Sequence, residues 1–306
     1  MRIVVHGQQA FGCAVLERLL ERNEDIVAVC TAPDKEGKPI DPLKALALEK
    51  GLAVHQPASW KTPEALALMQ SFEADVCIMA YVLLFVPQPV LEAPKHGSFQ
   101  YHPSLLPMHR GPSSINWPIA MGSETTGLTI FWPNEGLDEG PVLLQKTCDI
   151  GPDETLGDIY FKKLYPMGVD AMIEAFDLVK AGKAPKIKQN LDEGSYESWF
   201  GKAQAEIDWS QPSTHLYNTI RAANPQPGAW TTNNGVKVQI FDSKLIESAV
   251  GDPGTVLKSN DDGLVIATGD GGGILISRVR PDGEAKMSAS DYATSCQLGV
   301  GAVLGT

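Results

Sequence analysis

The 306-residue chain has no excess of basic charge: 25 Lys and Arg stand against 37 Asp and Glu, a formal charge of −12. That balance argues against a general electrostatic grip on nucleic acid or an anionic membrane and leaves only a local basic patch for such a partner. Long hydrophobic runs are missing as well. The longest, Val76–Val86, has 11 residues, where a membrane span needs about 20. Near the start, Ile3, Val4 and Val5 are followed at once by His6, too short a stretch for a signal-peptide core. The five cysteines (Cys13, Cys30, Cys77, Cys148, Cys296) are odd in number, widely spread and never at C-x-x-C spacing. The expectation is buried thiols in a reducing compartment, without disulfides, structural zinc or another metal. Together these features predict a soluble cytoplasmic protein.

What is present is an ordinary globular composition, 43% apolar and 20% charged, in a length that suggests about two domains. Short apolar runs at Ile3–Val5, Ile26–Cys30, Ala53–His55, Val76–Met79 and Gly97–His102 alternate with helix-period segments at Phe11–Arg22, Leu43–Lys50 and Pro63–Ser71. This alternation predicts a doubly wound α/β domain with a mostly parallel sheet. Two further strands follow at Gly127–Trp132 and Val142–Thr147, then a helical stretch from Thr155 to Lys183. Pro166 is expected to divide that stretch or kink it, and Gly182 to end it. After an aperiodic linker the texture changes. A short helix near Thr214–Ala223 precedes β-type runs separated by Asn260-Asp261-Asp262-Gly263 and Gly269-Asp270-Gly271-Gly272-Gly273, which predicts a small antiparallel sheet or barrel.

Three stretches carry candidate chemistry. Gly7-Gln8-Gln9-Ala10-Phe11-Gly12 lacks the middle glycine of the dinucleotide fingerprint and reads as a tight strand-to-helix turn. In Gln100-Tyr101-His102-Pro103-Ser104-Leu105-Leu106-Pro107, strand periodicity puts Gln100 and His102 side by side at the carboxyl end of a strand. On spacing alone, His102 reads equally as a structural histidine and as a catalyst. Glu135-Gly136-Leu137-Asp138-Glu139-Gly140 reads either as a solvated hairpin or as a loop whose glycines admit a flat ligand while one carboxylate meets His102. Val82–Val86 (VLLFV) is either core or an apolar wall for an aromatic ligand.

Taken together and in order, His102-Pro-Ser-Leu-Leu-Pro, Arg110-Gly111 and Gly136-Leu137-Asp138-Glu139-Gly140 resemble the signature stretches of the 10-formyltetrahydrofolate-dependent formyltransferase family, as does the 36-residue step from His102 to Asp138. The branch most resembled is the amino-terminal hydrolase portion of 10-formyltetrahydrofolate dehydrogenase, through Gly7-Gln8 with Phe11-Gly12, Thr31-Ala-Pro-Asp-Lys, Asp41-Pro42-Leu43 and Ala93-Pro94-Lys95-His96-Gly97-Ser98. Ile207-Asp208-Trp209, Arg221-Ala222-Ala223-Asn224-Pro225 and Pro227-Gly228-Ala229-Trp230 resemble the second domain shared with methionyl-tRNA formyltransferases.

The resemblance implies a Rossmann-like catalytic domain over 1–185, a linker over 186–203 and an OB-like β-barrel domain over 204–306. It implies 10-formyltetrahydrofolate as formyl donor, no metal, and His102 and Asp138 as catalytic pair. Gln100 stands where amine-specific members carry Asn, which makes it the implied oxyanion donor. The implied folate pocket is lined by Leu84, Phe85 and Val86, by Ser104, Leu105, Leu106 and Pro107, and by the backbone at Asp138.

The implied reaction is removal of the formyl group to water or a small amine. Transfer to methionyl-tRNA is the alternative. Against it, residues 201–306 hold eight Lys/Arg and eleven Asp/Glu, a net of −3, where an RNA-holding module presents a basic face. The Asp34–Asp41 loop is also shorter than the extended basic loop of tRNA formyltransferases. An amino-sugar acceptor and a non-catalytic folate sensor are the remaining readings.

Overall fold

The first apolar run becomes β1 (Arg2–Gly7), with five of its six residues buried. The computed structural model describes residues 1–306. In it β1 joins β2 (Asp25–Cys30), β3 (Val54–His55), β4 (Val76–Ala80), β5 (Ser98–His102), β6 (Thr125–Phe131) and β7 (Val142–Asp149). They form a seven-stranded sheet in the order 3-2-1-4-5-6-7. β1 to β5 are parallel, and β6 is antiparallel to β5. The chain steps outward from β1 to β3 and then returns to lay β4 on the other side of β1. That reversal is a topological switch point, and open α/β sheets bind ligands beyond the carboxyl ends of strands there.

Four helices make the crossovers between the parallel strands: α1 (Gln9–Glu21), α2 (Pro42–Glu49), α3 (Pro63–Ser71) and α4 (Gln88–Leu91). α2 and α3 start where the sequence says they should. Each has Pro in its first turn, and the side chains of Asp41 and Thr62 accept backbone amides ahead of it. Beyond the parallel strands come α5 (Asn116–Ala120), α6 (Leu156–Asp158) and a π-helical stretch over Ile159–Leu164 that runs into α7 (Tyr165–Lys180). Pro166 is the second residue of α7, where its missing amide costs least. Gly182, at φ +65°, ends α7: its amide reaches the Val179 carbonyl and the Lys183 amide reaches that of Leu178, a Schellman closure.

All five residues of β4 are buried, because the sheet is covered on both faces. Val4, Cys30, Trp60, Met69, Cys77, Met79, Val86 and Leu91 belong to one core cluster. α1 packs with α7, and both pack on β4. The turn after β1 is tight because β4 lies against it: a Cβ on Gly7 would sit 2.1 Å from the Ala80 carbonyl oxygen.

The residues group into two compact units. One comprises Met1–Gly111, Gly127–Cys148 and Lys163–Tyr196, the other Pro112–Thr126, Asp149–Lys162 and Glu197–Thr306. A single cut does not separate them, and the segment expected as a linker, 186–203, is divided between the two. The second unit carries α8 (Ser213–Ala223), strands β8 (Ala229–Asn233), β9 (Val236–Ile240), β10 (Ser243–Ile246), β11 (Val256–Asn260), β12 (Gly263–Ala267), β13 (Gly273–Ile276), β14 (Arg278–Pro281) and β15 (Met287–Ser288), and α9 (Ala289–Ser295). The strands form two four-stranded antiparallel sheets, in the orders 10-13-12-11 and 15-14-9-8. Asn234 and Gly235, both at positive φ, close the β8–β9 hairpin as a type I′ turn does. Within this unit the buried Arg221 guanidinium ties α8 to the carbonyls of Gly151 (3.1 Å) and Glu154 (2.8 Å). No helix is long and apolar enough to cross a membrane. None of the five cysteines forms a disulfide.

Candidate active site

β5 reads Ser-Phe-Gln-Tyr-His, and its alternation sends Phe99 and Tyr101 to one face and Gln100 and His102 to the other. Tyr101 packs on Phe11, with ring centroids 4.4 Å apart. Gln100 lies between Met79 and Phe131 in the strand register, half-buried. His102 ends the strand and is only 6% exposed. Its Nε2 lies 3.0 Å from the His109 carbonyl oxygen and its Nδ1 lies 3.6 Å from Asp138 Oδ2.

The turn that follows is bolted down by one buried hydroxyl. Thr129 Oγ1 donates to the Ser104 carbonyl (2.7 Å) and accepts from the Leu106 amide and Gln145 Nε2 (both 3.0 Å). Gln145 Nε2 also reaches the Leu106 carbonyl at 2.8 Å. Ser104 donates its hydroxyl to the Met108 carbonyl at 2.7 Å. Ser104 and Leu106 are buried, Leu105 and Pro107 partly exposed, and the Leu106–Pro107 peptide is cis. Pro103 to Arg110 therefore form a braced turn that delivers the His109 carbonyl to the imidazole.

Asp138 comes from the loop between β6 and β7. It is 8% exposed and takes a left-handed φ of +57°. Its Oδ2 accepts the Gly111 amide at 2.9 Å. The adjacent carboxylate goes elsewhere: Glu139 Oε1 meets Arg110 Nη1 at 2.6 Å. The structure thus separates the acidic pair, one member at His102 and the other at Arg110. The bracketing glycines serve the loop's own packing. A Cβ on Gly140 would lie 1.8 Å from the Trp132 carbonyl oxygen, and one on Gly136 would lie 2.3 Å from Glu139 Oε2. The buried Gln189 donates from Nε2 to the carbonyls of Asp138 (2.9 Å) and Gly140 (2.6 Å).

The three residues of the expected apolar wall part company. Leu84 is 37% exposed and Phe85 53%, with Lys61 Nζ 5.0 Å over the Phe85 ring. Val86 is buried in the core cluster with Trp60 and Leu91. His6 is a further buried histidine that the sequence did not single out. It packs on Trp60 (centroids 4.8 Å apart), its Nδ1 has no partner, and burial pulls its pKa down to about 3.

Residues 1–176 match the formyl transferase family and residues 200–297 match the formyl transferase C-terminal domain. The chain belongs to the formyl transferase family. This family member is 36% identical over 313 residues to mitochondrial 10-formyltetrahydrofolate dehydrogenase of Mus musculus, covering 98% of this chain and 34% of that protein. It therefore spans about a third of the length of that relative. It is 33% identical over 308 residues to methionyl-tRNA formyltransferase of Trichlorobacter lovleyi, covering 99% of this chain and 96% of that one. In fold it is similar to HypX from Aquifex aeolicus in complex with tetrahydrofolic acid (TM-score 0.68, 22% identity, 98% of this chain and 48% of that one). It is also similar to WlaRD, a sugar 3N-formyl transferase (TM-score 0.70, 19% identity, 93% of this chain and 99% of that one).

Of the residues that hold the pair, His109, Thr129, Gln145 and Gln189 were missed by sequence reasoning, while Gly111 entered only within the Arg110-Gly111 signature stretch and without a role. His109 and Gly111 act through main-chain atoms, which every residue type carries, so no sequence signal marks what they do. Gln189 sits in an aperiodic stretch that resembles no motif.

Proposed function

We propose that this chain removes the formyl group from 10-formyltetrahydrofolate and passes it to water or a small amine. The observation that carries the reading is the 3.6 Å approach of His102 Nδ1 to Asp138 Oδ2 at the carboxyl end of β5, in a chain of the formyl transferase family. The names of its relatives supply the folate substrate.

The chemistry follows from the groups. A formyl group leaving N10 passes through a tetrahedral intermediate whose oxygen carries negative charge. Both ring nitrogens of His102 face oxygen acceptors, His109 on one side and Asp138 on the other; the doubly protonated ring suits both. Such a cation, together with the Gln100 amide on the same strand face, stabilises the developing oxyanion. The Asp138–His102 separation exceeds a hydrogen bond and is bridged by a reacting atom. The nucleophile adds to the formyl carbon as Asp138 takes its proton, and the carbon–N10 bond then breaks as the intermediate collapses. The proton held by Asp138 passes to N10, which leaves as a neutral amine while the nucleophile keeps the formyl group. Leu84 and Phe85 offer the apolar surface beside which the pterin lies.

An absorbance assay on 10-formyltetrahydrofolate tests this. Consumption in buffer alone supports hydrolysis, acceptor-dependent consumption supports transfer, and no consumption with any acceptor overturns the reading.

One observation favours methionyl-tRNA as acceptor in a second reading. Lys237 of β9 and Arg278 and Arg280 of β14 share one sheet face, since Arg280 pairs with Gln239 in register. Lys237 lies 4.1 Å over Trp230, and Lys286 lies 3.5 Å over Phe241. This is a local cationic and aromatic face on an acidic unit. Adding charged methionyl-tRNA to the same assay decides between the acceptors.

A further inference from the structure

Asp138 takes a left-handed φ of +57°, a region that few L-residues besides asparagine and aspartate enter, and its loop is also held from outside. The side chain that does so reaches in from 51 positions away. Gln189 is 7% exposed, and both protons of its Nε2 are used, one on the Asp138 carbonyl at 2.9 Å and one on the Gly140 carbonyl at 2.6 Å. Its Oε1 is buried without a partner. An amide turned end for end would set that oxygen against two carbonyl oxygens, so the two carbonyls decide its orientation and the orphaned oxygen is the consequence.

The placement of Gln189 has a simple cause. Ile187 and Val142 exchange main-chain hydrogen bonds (2.7 and 2.9 Å), an antiparallel bridge at the start of β7. Two residues on from Ile187 and two back from Val142, the same register sets Gln189 beside Gly140. The segment holding Gln189 is thus paired to the strand that ends the Asp138 loop.

We propose that Gln189 is a positioning residue: by clamping the carbonyls on either side of Glu139, its amide holds the Asp138 carboxylate at His102. The catalytic part of this statement rests on the function proposed above. Gln189 touches no substrate, and it acts only through Asp138.

The reporter of carboxylate position is the Gly111 amide, which donates to Asp138 Oδ2. In the full chain, hydrogen exchange at Gly111 is followed by NMR in wild type, Gln189→Leu and Gln189→Met. The Met variant keeps the length of the side chain and loses the donors without setting a charge against the two carbonyls, and it remains informative where the Leu variant fails to fold. The expected result is Gly111 exchange at least tenfold faster in each folded variant, with amides of β1 and β4 unchanged. For 10-formyltetrahydrofolate, kcat falls at least tenfold and KM stays within twofold. Unchanged Gly111 exchange in the folded variants overturns the clamp and leaves the proposed function standing. Faster Gly111 exchange with unaltered kcat overturns the positioning role. A wild type without turnover sinks the proposed function, while Gly111 exchange still decides the clamp.

Discussion

His102 and Asp138 are 36 positions apart in the chain and 3.6 Å apart between Nδ1 and Oδ2. Neither is held by the other. His102 is fixed by the strand it ends and by the His109 carbonyl, and Asp138 by the Gly111 amide and by Gln189. The pair is assembled by its surroundings, which is how a site presents two reactive groups to a third, reacting one.

If these two groups carry the reaction, His102→Ala and Asp138→Asn each lower kcat on 10-formyltetrahydrofolate by about 10²–10⁴-fold, while calorimetry finds folate binding largely intact. Near-normal turnover in either variant would refute the assignment.

Gln100 is the expected oxyanion donor. Gln100→Leu keeps the strand and removes the amide, so kcat should fall by about 10²–10³-fold with little change in KM. A loss smaller than tenfold assigns the role to another group.

Thr129→Val preserves shape and removes the hydroxyl that serves the Ser104 carbonyl, the Leu106 amide and Gln145. Each buried group left unpaired costs about 1–3 kcal/mol. Urea denaturation should show a loss in at least that range, and stability equal to wild type would contradict the brace.

The pKa of His6 falls to about 3 in the folded chain, from an ordinary value of 6.5. Below pH 6.5 the unfolded chain binds a proton there and the native chain does not. The stability His6 contributes is therefore whole above pH 6.5 and is lost as pH falls towards 3, by up to about 1.4 kcal/mol per pH unit. His6→Leu removes that proton from the balance. Urea midpoints between pH 7 and pH 5 should decline less steeply in the variant than in wild type; parallel declines would place the proton elsewhere.

Strong local signals let the sequence predict the α/β architecture. β4 has an unbroken apolar run, α2 and α3 carry their caps and first-turn prolines, and Gly182 marks the end of α7. α4, α5 and α9 escaped because four, five and seven residues are too few to establish a helical period. Val86 shows the limit of reading an apolar run as one surface: its neighbours Leu84 and Phe85 face outward while it packs into the core.

The sequence by itself determined the alternation of the first strands and helices and the family likeness, and with that likeness the candidates His102, Asp138 and Gln100, because periodicity and motif spacing are properties of neighbouring residues. Only the tertiary structure decided that Glu139 turns to Arg110 while Asp138 lies at the imidazole, and that a glutamine from an aperiodic segment bonds the loop's carbonyls. Those choices depend on main-chain carbonyls and amides brought together across the fold, and such groups are the same in every residue.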